Sequence, residues 1–305
     1  MFGVHLLFDG VNTMTDLLRL LFNSLETGSV YALAALGIVL IFRTSRTTNF
    51  AQGMIGTFNA YIAAFLMLRY GFNIWLVALV ALITAFLTGI IIDTFIIRPA
   101  AKVSPISKQI ITLGIIMVII GILPWFFGVD SMTLPRFIPT AYSITILGAD
   151  LRYNTIFVIA VSTILMGAMF WFIQYTKWGL ATRVTASDET TSKLMGVPTK
   201  TVTMVSWATA AMLGTLAALF VAPRISVFSN MLLTVQISAF FAGTLGGFST
   251  FFGPVVGAFI ISFARNFTQF YISDIWGNVL VYTSILVFLY FKPYGIFGKK
   301  PTKKV

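Results

Sequence analysis

The feature that most limits this chain is a succession of apolar runs, each long enough to cross a bilayer and parted by short polar stretches. Residues 75–97 read WLVALVALITAFLTGIIIDTFII, with Asp93 the one charged residue. A hydrocarbon core about 30 Å thick takes about 20 residues of helix to span, and only helices and closed barrels satisfy every backbone group there. Comparable runs cover residues 21–42, 50–68, 110–127, 155–175, 204–221 and 278–290, with unbroken apolar character over 232–263. Hydrophobic residues make up 58% of the chain and charged residues 10%, too greasy a balance for the outside of a soluble domain. The sequence predicts an all-α, polytopic membrane helical bundle of about eight or nine spans, a single transmembrane domain over residues 1–305.

Two stretches break the apolar pattern at membrane depth. In residues 47–60, TTNFAQGMIGTFNA, the interruptions are Asn49, Gln52, Gly53, Gly56 and Asn59. In the second half, GTLGGFSTFFGPVVG places Gly246, Gly247, Ser249, Gly253 and Pro254 inside an otherwise continuous run, so two short or re-entrant passes joined at a turn are expected. Lipid offers no hydrogen-bond partner, so such backbone has to be buried in protein or face a water-filled cavity. These ten residues are the candidates for a translocation path. The plainer meaning of Gly243/Gly247 and Gly253/Gly257, each four apart, is close helix packing.

The formal net charge is +11, which in a soluble protein would suggest nucleic acid. Here the basic residues gather in particular loops, and their meaning is orientation. With the carboxyl terminus in the cytoplasm, Arg43, Arg46, Arg98, Lys102, Lys108, Lys177, Arg183, Lys193, Lys200, Lys292, Lys299, Lys300, Lys303 and Lys304 fall inside. Only Arg19, Arg69, Arg136, Arg152, Arg224 and Arg265 fall outside. About nine crossings then put the chain ends on opposite sides. The amino-terminal segment 1–20 has no basic leader or cleavage site and is expected to be retained. Within it Leu7, Val11, Met14 and Leu18, with Leu21 beyond, have helical spacing and predict an amphipathic helix at the interface. Residues 292–305 form a basic cytoplasmic tail.

Several chemistries are excluded. There is no cysteine and His5 is the lone histidine, so thiol chemistry and His- or Cys-based metal sites fall away, and no cofactor is expected. No Walker-type GxxxxGK[ST], GxSxG or HExxH occurs, which argues against an enzyme and against ATP hydrolysis by this chain. Glu26 and Asp93 lie toward span ends, where they could reach water. The spans otherwise lack ionisable groups, which counts against an ion-driven carrier.

The longest polar interruption is residues 176–203. Thr185 followed by Asp188 has capping-box form, Glu189 adds charge to a first helical turn, and Lys193 falls near its end. Gly196 can take a left-handed conformation and Pro198 stops continuation. One short capped helix is expected at about residues 187–195, either a docking knob or a solvated loop.

Taken together, GSVYALAALGIVLIF with TNFAQG after it, IIRPAAK, GLATRVTASDETTSKLMGVPTKTV and AGTLGGFSTFFGPVVGAFI resemble permease subunits of the Liv-type, branched-chain amino acid ABC importers, nearer the LivH than the LivM member. The resemblance implies a non-catalytic subunit of a bacterial or archaeal plasma membrane. Its implied partners are a second permease or a second copy of itself, two cytoplasmic ATPase subunits and an extracytoplasmic solute-binding protein. It also marks Arg183, Thr185, Asp188, Glu189, Lys193, Leu194 and Gly196 as the segment coupling to the ATPases. Family members commonly carry His and an acidic residue around the glycine of NFAxG, where this chain has Gln52 and Met54, and Ser249 stands where glycine is usual. The solute is therefore left open between branched-chain amino acids and urea, amides or other small polar solutes. A self-sufficient channel is the reading from another class.

Overall fold

The structure, a computed structural model, describes residues 10–298. The first helix, α1 (Gly10–Ser45), runs 36 residues without a break. The described part of the amino-terminal segment, expected to lie apart at the interface, is thus the first third of the same helix. Residues 1–9, including Leu7, and the tail beyond 298 lie outside the described residues.

There follow α2 (Gln52–Tyr70) and α3 (Ile74–Ile91), the latter prolonged by a π-helical turn at Ile92–Ile97 and a 3-10 turn at Pro99–Lys102. Next come α4 (Pro105–Phe127), the strands β1 (Ser143–Ile146) and β2 (Ala149–Arg152), and α5 (Tyr153–Tyr175). Helices α6 (Lys177–Ser187) and α7 (Glu189–Leu194) make up the polar interruption. The chain closes with α8 (Thr199–Ile225), α9 (Leu233–Gly246), α10 (Phe252–Tyr271) and α11 (Asp274–Phe291). Pro223, just past the apolar run that ends at residue 221, sits inside the last turn of α8, which continues to Ile225.

Among the described residues, five helices are long and apolar enough to cross a membrane, and the helices at 233–246 and 275–291 are shorter apolar ones. Two of the five, α1 and α8, form the axis of the bundle. In their most apolar stretches 83% and 67% of residues are buried, against 22% in both α4 and α5. The outer helices are the greasier, because they face the surroundings, while the axial pair face protein and are built from small residues. Ala32, Ala35, Gly37, Ala210, Ala211, Gly214, Ala217 and Ala218 let α1, α8 and their neighbours approach closely, the usual basis of packing where burial from lipid supplies little drive.

Several hydroxyls in these helices are satisfied locally. Ser29, Thr44, Ser206 and Ser238 each donate to the carbonyl four residues earlier, so a polar atom enters an apolar layer without an unmet donor. Polar residues of α10 turn inward onto α1. Ser262 donates to the Ser24 carbonyl at 2.8 Å, Asn266 to Ser24 Oγ at 3.0 Å and Arg265 to the Tyr31 hydroxyl.

The two buried carboxylates lie deeper than expected. Asp93 is 1% exposed and Glu26 6%, so neither reaches water; each survives because it is matched. Asp93 meets Arg98 at 3.0 Å. Glu26 accepts from Thr155 Oγ1 at 2.8 Å and lies 3.8 Å from Arg224. Nearby in the 128–142 segment, burial and then Arg152 hold Arg136 below its ordinary pKa. The rest of that connection is not loop throughout. β1 and β2 form an antiparallel hairpin closed by Leu147 and Gly148, both with positive φ, as a two-residue turn matching strand twist requires.

Candidate functional site

The first broken stretch folds into a buried amide cluster. Asn49 caps the approach to α2, its Oδ1 accepting from Ala51 N at 2.9 Å, and its Nδ2 donates to Gln52 Oε1 at 3.2 Å. Gln52, 1% exposed, in turn donates through Nε2 to the Ala210 carbonyl on α8. Gly53 N donates to Gln236 Oε1 on α9 at 2.6 Å, and Gln236 Nε2 returns to the Asn49 carbonyl at 3.4 Å. Three side-chain amides thus tie α2 to both α8 and α9 at the depth where α2 begins. Asn59 donates to the Ile55 carbonyl at 2.8 Å and leaves its Oδ1 buried without a partner.

Room for this cluster comes from glycines. A Cβ at Gly37 would stand 2.5 Å from Gln52 Nε2, and one at Gly214 2.8 Å from the same atom. A Cβ at Gly56 would stand 2.5 Å from the Gly214 carbonyl oxygen. Beside the cluster lies a cavity of about 90 Å³ lined by Gly53, Met54, Thr57, Ser229, Asn230 and Gln236, among others. Polar and apolar walls meet there, and it is the space within the bundle that the Asn49–Asn59 segment borders.

The second broken stretch is closed. Gly246 and Gly253 meet so tightly that a Cβ on either would fall 2.0 or 2.2 Å from the other's carbonyl oxygen, and a Cβ on Gly257 would fall 2.4 Å from the Ala242 carbonyl oxygen. Packing therefore explains Gly253/Gly257 as a helix-facing pair. Gly247 does not share a helix face with Gly243, since it ends α9 with φ +94°. Pro254 is buried in the first turn of α10 and Ser249 is exposed in the turn. The α9 end is covered by the segment after α11, where Ile296 N donates to the Leu245 carbonyl at 2.7 Å and Phe297 N to that of Gly246 at 3.2 Å.

An aromatic chain joins the two stretches. Phe50 stacks on Phe240 at 5.0 Å, Phe240 meets Phe248 at 6.3 Å edge-on, and Phe248 meets Phe42 at 4.8 Å. The Arg43 guanidinium lies 4.3 Å over the Phe251 ring beside them.

At the same end of the bundle the polar interruption forms two helices rather than one. Asp188 is the N-cap of α7, its Oδ1 accepting from Thr190 N at 2.9 Å and Thr191 N at 3.1 Å. Thr185 is not the cap. It lies 3% exposed within α6, its hydroxyl without a partner, because α6 continues to Ser187 before the chain extends at Asp188. Glu189 and Lys193 pair at 2.6 Å across one turn, and Gly196 takes φ +79° as the closing residue. Arg183 folds back onto α5, donating to the Gln174 carbonyl at 3.3 Å. Arg46, at the end of α1, donates to the Ala186 carbonyl, and Arg98 donates to the Lys200 carbonyl at 3.1 Å. Helix α6 is thus anchored to α1 and to α5, the turn after α3 is tied to the start of α8, and Leu194 and Met195 stand out at 85% and 72% exposure.

Comparison with known proteins gives this geometry a family. The branched-chain amino acid transport system permease component matches over residues 20–289. This chain belongs to that family. The permease is 25% identical to the high-affinity branched-chain amino acid transport system permease protein BraD of Pseudomonas aeruginosa, over 94% of this chain and 98% of the relative. It is 26% identical to LivH of Salmonella typhimurium over 94% and 97%. It is also 24% identical to the fructose import permease protein FruG of Bifidobacterium longum, over 76% of this chain and 67% of the relative. No solved structure matches it.

Sequence reasoning missed part of the permease's amide cluster. Gln236 is the one strongly polar residue of α9 and could have been flagged as out of place, whereas Gly37 and Gly214 sit in apolar runs where any small residue would look alike. Met195, just outside the marked coupling residues, was missed for lack of any sign that the helix tip is apolar.

Proposed function

We propose that the chain is the membrane-spanning permease subunit of an ATP-driven importer for branched-chain or related amino acids. It lies in a plasma membrane with its carboxyl terminus in the cytoplasm. In this reading α1–α5 and α8–α11 make nine passes, with α9 and α11 the short ones. Fourteen of the twenty basic residues then face the cytoplasm, the bias the positive-inside rule expects. ATP hydrolysis is assigned to separate subunits, and the permease works beside a second permease and an extracytoplasmic binding protein.

The observation that carries the reading is the α6–α7 unit. Its short helix α7 is capped at both ends and holds an apolar tip of Leu194 and Met195 in the open, while α6 at its base is bound to α1 through Ala186 and to α5 through Arg183. Isolated exposed hydrophobics are ordinary in themselves. A pair of them on a rigid, polar, multiply anchored knob fits a socket on a motor subunit. Asp188, Glu189, Lys193, Leu194 and Gly196 shape that knob, and Arg183 and Thr185 fix its base. When the motor closes, displacement of the knob passes through Arg46 to α1 and through Arg98 and Lys200 to α3 and α8.

The path is assigned to the space beside the amide cluster, which Gly53, Asn230 and Gln236 line, with Asn49, Gln52, Gly56 and Asn59 buried behind that wall. The Gly246, Gly247, Ser249, Gly253 and Pro254 turn and the aromatic chain form its closed inner end. A solute passing neutral amides and glycine backbone meets hydrogen-bonding groups without fixed charge. Such a lining suits a molecule that is neutral overall.

Co-purification of an ATPase subunit with the full chain, and uptake of labelled leucine by reconstituted vesicles only when ATP and a binding protein are supplied, are the expected results. Downhill flux by the chain alone would overturn the reading in favour of a channel. ATP-driven uptake of fructose in place of leucine would keep the mechanism and change the solute.

A further inference from the structure

A second cavity, of about 190 Å³, opens at the end of the bundle that carries α7, walled by the π-helical turn after α3, the start of α4, α7 and the start of α8. Four cationic side chains, Arg98, Lys108, Lys193 and Lys200, and two anionic ones, Asp93 and Glu189, line it, for a net charge of +2. The anions are already matched, Asp93 by Arg98 at 3.0 Å and Glu189 by Lys193 at 2.6 Å. The positive excess therefore rests on Lys108 and Lys200, for which no ion pair forms among the described residues. Arg98 spends one terminal nitrogen on Asp93 and on the Lys200 carbonyl, and its Nε is buried with no hydrogen-bond partner. A buried guanidinium nitrogen without a partner carries a desolvation penalty that an anion would relieve.

We infer that this cavity is a binding site for a phosphate group, either the headgroup of an anionic phospholipid or free inorganic phosphate. Three features favour it. The cationic groups converge from separate elements, on α4, on α8 and beyond the π turn, which suits a tetrahedral oxyanion presenting oxygens in several directions better than a planar carboxylate. A water takes about 30 Å³ of liquid volume, so the cavity has space for an oxyanion and some of its hydration. Lysine serves as a mobile point charge for phosphate, and Arg98 offers a fixed donor. Basic residues at the foot of membrane helices also attract anionic headgroups. Occupancy would join α7 to α3, α4 and α8 through one anion, so the site would tune how firmly the knob is held. This goes beyond the permease assignment, and its test reads binding without transport, so the two can fail separately.

The test places the full chain in phosphatidylcholine nanodiscs and measures equilibrium binding of radiolabelled inorganic phosphate. A second arm adds phosphatidylglycerol to the discs and counts retained lipid by native mass spectrometry. Saturable binding in the first arm identifies free phosphate, and selective retention in the second alone identifies the headgroup. Lys108→Gln and Lys200→Gln should each weaken the bound form about tenfold or more, while Lys108→Arg should restore most of it. Correct folding of each variant is checked by monodispersity and helical circular dichroism. The proposal is overturned by absence of binding in both arms, or by binding that both glutamine variants leave unchanged. It is also overturned if neither arm binds while the same variants release an ATPase subunit, which would assign the cavity to a partner's carboxylate.

Discussion

The side-chain amide of Gln52 on α2 donates to the main-chain carbonyl of Ala210 in the middle of α8. The contact is possible because Gly37 and Gly214 leave space around the amide nitrogen on both sides. Replacing Gln52 with Leu should leave Asn49 Nδ2 without its acceptor in a fully buried place. A stranded buried donor costs about 1–3 kcal/mol, so the variant should melt earlier in detergent and lose uptake. Gln52→Glu should suffer more, since its carboxylate would face the Ala210 oxygen. Thermal unfolding followed by size-exclusion fluorescence would check the order.

Gly56 sets how closely α2 and α8 approach. Gly56→Ala puts a methyl group 2.5 Å from the Gly214 oxygen, a backbone atom that cannot turn aside. An overpacking cost of about 1–3 kcal/mol is expected. A stability equal to that of the unaltered chain would show that the two helices can part there without loss.

Gly196 tests conformation apart from contact. Nothing lies within 4 Å of a Cβ built at this residue, and its φ is +79°, so Gly196→Val should cost about 1–2 kcal/mol through backbone strain alone. Gly196→Asn should cost less, because asparagine tolerates the left-handed region. Stimulation of the ATPase should fall in the valine variant before membrane insertion does.

Leu194→Asp and Met195→Asp should change the stability of the isolated chain by no more than about 0.5 kcal/mol, as surface substitutions usually do. Association with an ATPase subunit should weaken sharply. Pull-down with the unaltered partner measures this, and undiminished capture would remove the knob's assigned role.

Asp93 and Arg98 invite a double-mutant cycle. Arg98 is partly open to water, so loss of either partner should cost about 1.5–3 kcal/mol, as for hydrogen bonds to charged groups. Asp93→Asn with Arg98→Gln together should cost less than the two single changes added, because neither variant then leaves an unmatched charge.

Much of the bundle was legible from apolar run length alone. Residues 155–175 predicted α5 to within two residues of its start, because a lipid-facing helix reveals itself by composition. Where protein covers protein the reading slipped. α8 runs on through Pro223, because a proline near a helix end forgoes only one hydrogen bond, and α1 begins well before its apolar run does. A lone carboxylate in lipid is costly, which points Glu26 and Asp93 toward water; sequence distance hides the partners of Glu26, Thr155 and Arg224, whereas Arg98 lies only five residues beyond Asp93. The Thr185–Asp188 spacing matched a capping box, yet the chain used Asp188 itself as the cap. A preceding helix can occupy the place where an isolated motif would begin. Gln236 stands out in its own helix as a strongly polar residue, whereas Gly37 and Gly214 do not, since their worth comes from the Gln52 amide on α2 and not from their neighbours in the chain.

The hydrogen bonds from Ile296 and Phe297 to the last carbonyls of α9 have a consequence for biosynthesis. A ribosome releases α9 long before it makes the residues that finish that helix's end, so the Gly246–Gly253 crossing stays incomplete until the final stretch of chain has emerged. A chain cut one turn before Ile296 would be left with an unsealed seam at the inner end of its bundle.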